Sequence, residues 1–309
     1  MKTERIQLTG HDGRSLPSVL WLPEQPPKAI LQITHGMTEH IGRYPPLAEH
    51  LTAQGIAVAG YDLRGHGTNG SDPDCASFGE GGWEASLEDM DRFRGYLSER
   101  FPTVPHFMLG FSLGSFLLRE YLTRYPQTNI AGAAILGTGH QPSAVLTVIM
   151  AIVKTQFKKA GPDGTTSLVK QLSFETYNKK FAPNRTVADW LCADEAELDA
   201  YIADPLCRES ISATLFHSLL GAMKRTGAKD TYRSWSKQLP ILLLSGQDDP
   251  VGDFGKGVTA VKQAMDKAGL THVELRLFPH ARHDLLHETS SGCAEQVRTI
   301  LASWILTHI

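Results

Sequence analysis

The chain has 309 residues, 41% hydrophobic and 20% charged, with a mean hydropathy of −0.19. It is long enough to bury a large core and too polar to be embedded in a membrane. Its 30 Lys and Arg face 33 Asp and Glu, a net charge of −3 with no basic stripe or acidic tail, which argues against a nucleic-acid partner.

The N-terminal residues predict two short strands, 5–9 and 17–22, around a His11-Asp12-Gly13 turn of the kind that closes antiparallel hairpins. Beyond them, apolar runs alternate with segments of helical period. Strands are predicted over 29–34, 56–61, 106–110, 130–136, 240–245 and 273–278, all read as buried on both faces. Helices are predicted over 45–54, 83–100, 113–125, 255–268 and 292–307, with Gly55, Pro102, Pro126 and Gly269 as stop signals. That alternation implies an α/β fold with a mostly parallel, doubly wound sheet behind an N-terminal antiparallel hairpin. Between 139 and 236 the rhythm stops, leaving only helix-like patches at 144–159, 187–203 and 209–224. So long a connection is expected to be an all-helical cap, or lid, subdomain spanning 139–236, set between two parts of one core, 1–138 and 237–309.

The chemistry-bearing residues sit at strand ends. Gly110-Phe111-Ser112-Leu113-Gly114 is a G-x-S-x-G between a predicted strand and a predicted helix. There a serine stands on a strained turn, and the two glycines remove side chains that would clash. A nucleophilic serine needs a base, and the base needs an orienting carboxylate. Both are available late in the chain: Asp248 and Asp249 follow the strand at 240–245, and His280 and His283 follow the strand at 273–278. Chain order Ser, Asp, His suits a serine hydrolase on this kind of sheet. An oxyanion hole would take one backbone N–H from Leu113 and one from the loop at 33–37, which ends in Met37.

Four blocks, Thr34-His35-Gly36-Met37-Thr38-Glu39-His40-Ile41-Gly42-Arg43-Tyr44, Tyr61-Asp62-Leu63-Arg64-Gly65-His66-Gly67, the G-x-S-x-G and Ala281-Arg282-His283, together resemble the signatures of the monoacylglycerol lipase and lysophospholipase family of α/β-hydrolases. The resemblance covers both ends of the core but not the cap. It implies the α/β-hydrolase fold with Ser112 as nucleophile, Asp249 rather than Asp248 as acid, His283 as base, and Met37 and Leu113 as oxyanion donors. It further implies that Glu39 and Arg43 bound a polar, glycerol-binding end of the pocket. Leu286 stands where the mammalian enzymes have a histidine three residues after the base; here the histidine comes one later, at His287. Phe111 replaces a histidine often found in the elbow, and Thr38 a common glycine.

The expected activity is therefore a cofactor-free, metal-free hydrolysis of carboxylic esters with medium or long acyl chains, on a lipid-like small-molecule substrate. Competing readings keep the triad for small esters, thioesters or amides, or make the chain a non-catalytic binding protein on the same fold. His280 and His287 are expected at the surface or behind the site, and His35 and His66 as hydrogen-bonding loop residues. Asp62 and Arg64 are expected to pair with each other. The run 144–153, followed by Lys154, Lys158 and Lys159, fits either a lid helix in transient contact with a membrane surface or an ordinary cap helix. Cys75, Cys192, Cys207 and Cys293 show no metal-site spacing and are expected as reduced thiols. No apolar segment follows the charged start, and a cytoplasmic location is expected.

Overall fold

A computed structural model describes residues 1–72, 74–79, 81–161 and 163–309. The N-terminal hairpin is longer than expected: β1 (Lys2–Thr9) and β2 (Ser15–Leu22) pair antiparallel from Lys2 opposite Leu22 to Thr9 opposite Ser15. Then come β3 (Ala29–Thr34), α1 (Pro45–Ala53), β4 (Ile56–Tyr61), a two-residue β5 (Cys75–Ala76), α2 (Gly82–Arg100), β6 (His106–Phe111), α3 (Leu113–Arg124) and β7 (Gly132–Leu136). An insert follows, with α4 (Ser143–Lys154), α5 (Phe157–Ala160), α6 (Ser167–Lys170), a π-helical turn at Gln171–Glu175, α7 (Thr176–Asn178), α8 (Glu195–Ala203), a two-residue β8 (Ser210–Ile211) and α9 (Ala213–Thr226). The chain closes with β9 (Ile241–Gly246), α10 (Lys256–Lys267), β10 (Val273–Phe278) and α11 (Cys293–Thr307).

The eight long strands form one sheet in the order β1-β2-β4-β3-β6-β7-β9-β10. β2 pairs antiparallel with β4, and every later pairing is parallel. β3, β4, β6, β7 and β9 are buried along their whole length, because helices cover both faces. One face packs Leu47, Leu51, Leu109, Trp304 and Ile305 from α1, α11 and the sheet; the other packs Leu87, Met90, Phe93, Leu117 and Met265, continuous with Phe216 and Leu220 of the insert.

Three expectations need correction. β10 is not buried on both faces: it is an edge strand, Glu274 and Arg276 face solvent, and only Phe278 is fully buried. The insert is not all-helical, because Cys75–Ala76 pairs in parallel with Ser210–Ile211, a bridge too short to carry a period. The helix expected over 187–203 starts only at Glu195, where the Asp194 side chain caps the N–H groups of Ala196 and Glu197. Among the described residues no helix is long and apolar enough to cross a membrane.

Candidate active site

The strand-to-helix turn after β6 forces Ser112 to φ 51°, a conformation most side chains avoid. Its flanking positions must then be glycine. A Cβ on Gly114 would lie 2.0 Å from the Thr34 carbonyl oxygen, and one on Gly110 would lie 2.4 Å from the Gly114 oxygen. With α3 packed this closely on β3, the half-buried Ser112 side chain stands at the carboxyl edge of the sheet.

Two loops at the same edge meet it. Asp249, three residues beyond β9, and His283, five beyond β10, are 0% and 1% exposed. His283 Nε2 lies 2.8 Å from Ser112 Oγ, and its Nδ1 lies 2.9 Å from Asp249 Oδ1. The same Asp249 oxygen accepts the Val251 N–H at 2.8 Å, so this aspartate also holds the following turn. Asp248 is half-buried, and among the described residues it meets the loop through its backbone N–H, donated to the Ala281 oxygen at 3.0 Å. A serine, imidazole and carboxylate joined in this order can make the hydroxyl nucleophilic and stabilise the imidazolium that results. Among the described residues neither the Met37 nor the Leu113 N–H has an intramolecular acceptor, and Met37 lines the space beside Ser112.

Behind that space lies a buried polar cluster. Glu39 accepts the Gly36 N–H at 2.5 Å and the Tyr44 hydroxyl at 2.8 Å on one oxygen, and Arg43 Nη1 at 2.6 Å on the other. Arg43 Nη1 also reaches Asp284 at 3.2 Å. Asp284 accepts in addition from His287 Nδ1 at 2.9 Å, and His287 Nε2 lies 3.1 Å from the Arg43 oxygen. Burial would raise the Asp284 carboxyl, but His287 and Arg43 overcome it and hold the group well below the usual carboxylate range. Glu39 and Arg43 both line the cavity of Ser112 and His283, and Glu39 braces the loop that carries Met37. His287 is buried, and His280 is exposed.

The insert closes the site. About 20 Å³ is open beside Ser112, walled by Phe174, Trp190, Leu191 and Tyr201 of the insert; the same four residues and Thr38 line a neighbouring cavity of about 340 Å³. Thr38, at φ 62°, occupies a conformation that favours glycine, and its hydroxyl is held between the Met37 oxygen at 2.6 Å and the Tyr201 hydroxyl at 2.8 Å. Tyr201, Phe174 and Asp284 escaped the sequence reading. Asp284 directly follows the histidine, but nothing in the spacing pairs it with a residue 241 positions earlier.

Other expected residues settle differently. His35 accepts the Leu63 N–H at 2.9 Å and His66 meets the Arg64 oxygen at 2.8 Å, both as loop braces. Asp62 and Arg64 do not pair. Asp62 accepts from Ile41 and Thr68, whereas the Arg64 guanidinium forks onto Asp12 and Asp89, because the turn after β4 sends the two side chains to opposite neighbours. All four cysteines are free, with Cys207 half-buried and the others buried. His40, Asp204 and Cys207 bring three possible metal-ligand atoms within 4.8 Å of one another. The donor set does not fit a metal: His40 Nδ1 accepts the Gly42 N–H at 3.2 Å, so the neutral ring carries its proton on Nε2 and donates it to Asp204 at 2.9 Å. The cluster is a clasp between the Met37 loop and the insert.

A parallel sheet behind an antiparallel hairpin, with serine, aspartate and histidine at its carboxyl edge in that chain order, defines an α/β-hydrolase. Residues 25–290 match the Hydrolase_4 family, described as serine aminopeptidase, S33, and the chain belongs to that family. It is 25% identical to a monoacylglycerol lipase of Mycolicibacterium smegmatis, over 94% of this chain and 92% of that protein. It is 27% identical to the monoglyceride lipase of Mus musculus, over 94% and 90%. Its fold superposes with a TM-score of 0.88, over 100% of this chain and 99% of the other, on a thermostable carboxyl esterase from Bacillus coagulans solved with glycerol, at 22% identity.

Proposed function

We propose that this protein is a serine hydrolase that cleaves carboxylic esters of medium or long acyl chains, with acylglycerols as its substrate class. The observation that carries the reading is the chain from Ser112 through His283 to Asp249, at 2.8 and 2.9 Å, facing Glu39 and Arg43 in one cavity. Ser112 Oγ attacks the ester carbonyl as His283 Nε2 takes its proton. The N–H groups of Met37 and Leu113 receive the oxyanion, and His283 returns the proton to the departing alcohol. Water, deprotonated by the same imidazole, then attacks the acyl-enzyme, releases the fatty acid and restores Ser112. Arg43, held by Glu39 and Asp284, faces the hydroxyls of the leaving alcohol. The relatives named as monoacylglycerol and monoglyceride lipases support the substrate class.

In this reading residues 139–236 act as the cap, on a core of 1–138 and 237–309. Val145, Val148 and Ile152 of α4 are 47%, 60% and 40% exposed, while Leu146 and Val153 are buried. That exposed apolar stripe is where the cap touches a lipid surface. A panel of glycerol and p-nitrophenyl esters graded from acetyl to long acyl chains tests the function. kcat/KM should climb severalfold per two carbons before levelling, at up to about 0.8 kcal/mol per buried methylene. A profile that peaks at acetate and falls steadily would reject the lipase reading in favour of a small-ester hydrolase. Absence of fluorophosphonate labelling at Ser112 would favour a non-catalytic binding protein.

A further inference from the structure

The imidazole of His283 is flanked by two aromatic rings, and only one belongs to the core. Phe111, the last residue of β6, lies 5.0 Å from it between ring centroids at 38°; Trp190, from the insert, lies 5.1 Å away at 36°. Trp190 is itself firmly placed. Its backbone N–H donates to Asn178 Oδ1 at 3.1 Å, and its ring stacks on Phe174 at 22° and meets Tyr177. The chain on either side is sewn to the histidine loop. The Asp284 N–H donates to the Leu191 oxygen at 2.7 Å, the Arg282 guanidinium donates to the Asp189 and Cys192 oxygens, and Glu288 Oε1 accepts from both Ala193 and Arg282 backbone N–H groups. Residues 189–193 thus pack as part of the loop that carries the base, although they lie in the insert.

We propose that Trp190 is a positioning residue for His283: its indole holds the imidazole in the orientation that joins Asp249 to Ser112, and offers a π-face to the imidazolium formed when Ser112 loses its proton. The inference rests on the proposed triad. Hydrogen bonds at Nδ1 and Nε2 leave the ring free to tilt about the line between them, and an indole packed beside it resists that tilt. Small misplacements of a catalytic group cost turnover steeply, and a π-face attracts a cation best where water is excluded. The other titratable or charged groups around the imidazole are Asp249 from the β9 loop, Asp284 on its own loop, Glu39 and Arg43 across the cavity, and Tyr177 and Tyr201 from the insert. A substitution at Trp190 removes none of these groups.

The test compares W190F and W190L in the full chain on a short p-nitrophenyl ester, so that acyl-pocket binding is not what is read. W190F should keep kcat within about threefold, since it retains a ring. W190L should lose about 10- to 100-fold in kcat with KM changed less than about threefold. Its acidic limb of kcat/KM should move to lower pH, because leucine gives the imidazolium no π-face. Wild-type kcat and an unmoved acidic limb in W190L, or equal losses in W190F and W190L, would overturn the proposal. Thermal unfolding accompanies each variant, and W190M replaces W190L if leucine prevents folding. H283A separates the two levels: an active H283A removes the triad reading itself, whereas a dead H283A beside a wild-type-like W190L removes only the role of Trp190.

Discussion

Arg43 and Asp284, 241 residues apart in the chain, form a buried ion pair at 3.2 Å one residue from the imidazole that meets Ser112. Asp284→Asn would leave the Arg43 guanidinium with Glu39 alone and weaken the hold on His287. Breaking a buried pair from one side is expected to lower stability by about 3 kcal/mol, read as a drop in the urea midpoint. Because the folded-state pKa of Asp284 lies below its unfolded value, its contribution is full above about pH 4 and fades as pH falls below it. The Asp284→Asn variant should therefore lose less stability than wild type on acidification into that range.

The two adjacent aspartates after β9 give a paired test of the acid. Asp249→Asn should lower kcat by about 10³ to 10⁴, by setting the wrong imidazole tautomer, while Asp248→Asn should stay within about threefold. Steady-state kinetics on one p-nitrophenyl ester decide it, and the opposite order would shift the acid by one residue.

Glycines at two places should respond with opposite signs. Gly114→Ala drives a methyl group into the backbone oxygen of Thr34, and the protein should fail to accumulate in soluble form or lose several kcal/mol. Gly95→Ala, inside α2 with nothing within 4 Å of the added carbon, should raise stability by about 0.5 to 1 kcal/mol. Thermal melts of the two variants beside wild type check both.

His106, at the start of β6, is buried with neither ring nitrogen bonded among the described residues, and desolvation together with Arg94 lowers its pKa to about 4. Between about pH 6.5 and 4 the unfolded chain binds a proton that the folded chain refuses, so stability rises with pH across that window and falls on acidification. His106→Leu removes the difference without breaking a hydrogen bond. Its unfolding free energy should fall less than that of wild type between pH 7 and pH 5, by on the order of 2 kcal/mol. Parallel slopes for the two proteins would show that His106 is not the group responsible.

The family resemblance chose Asp249 over Asp248 and His283 as the base, but the alternating α/β order, the G-x-S-x-G elbow and the chain order serine, aspartate, histidine were legible in the sequence itself. Each is written in local terms: apolar runs bounded by stop signals, or glycines two residues either side of a strained serine. Even there, the apolar character of Val273–Phe278 outweighed its charged alternation at Glu274 and Arg276, and only the strand order shows it to be a half-exposed edge strand. Which groups surround Ser112 and His283 was decided entirely by tertiary structure. The ion pair of Arg43 with Asp284, the fork of Arg64 onto Asp12 and Asp89, the Thr38–Tyr201 contact and the indole of Trp190 against His283 each join side chains from separate elements. Their partners lie between 25 and 241 residues apart, and helical or strand periodicity says which face of its own element a residue occupies, not which residue of another element meets it there.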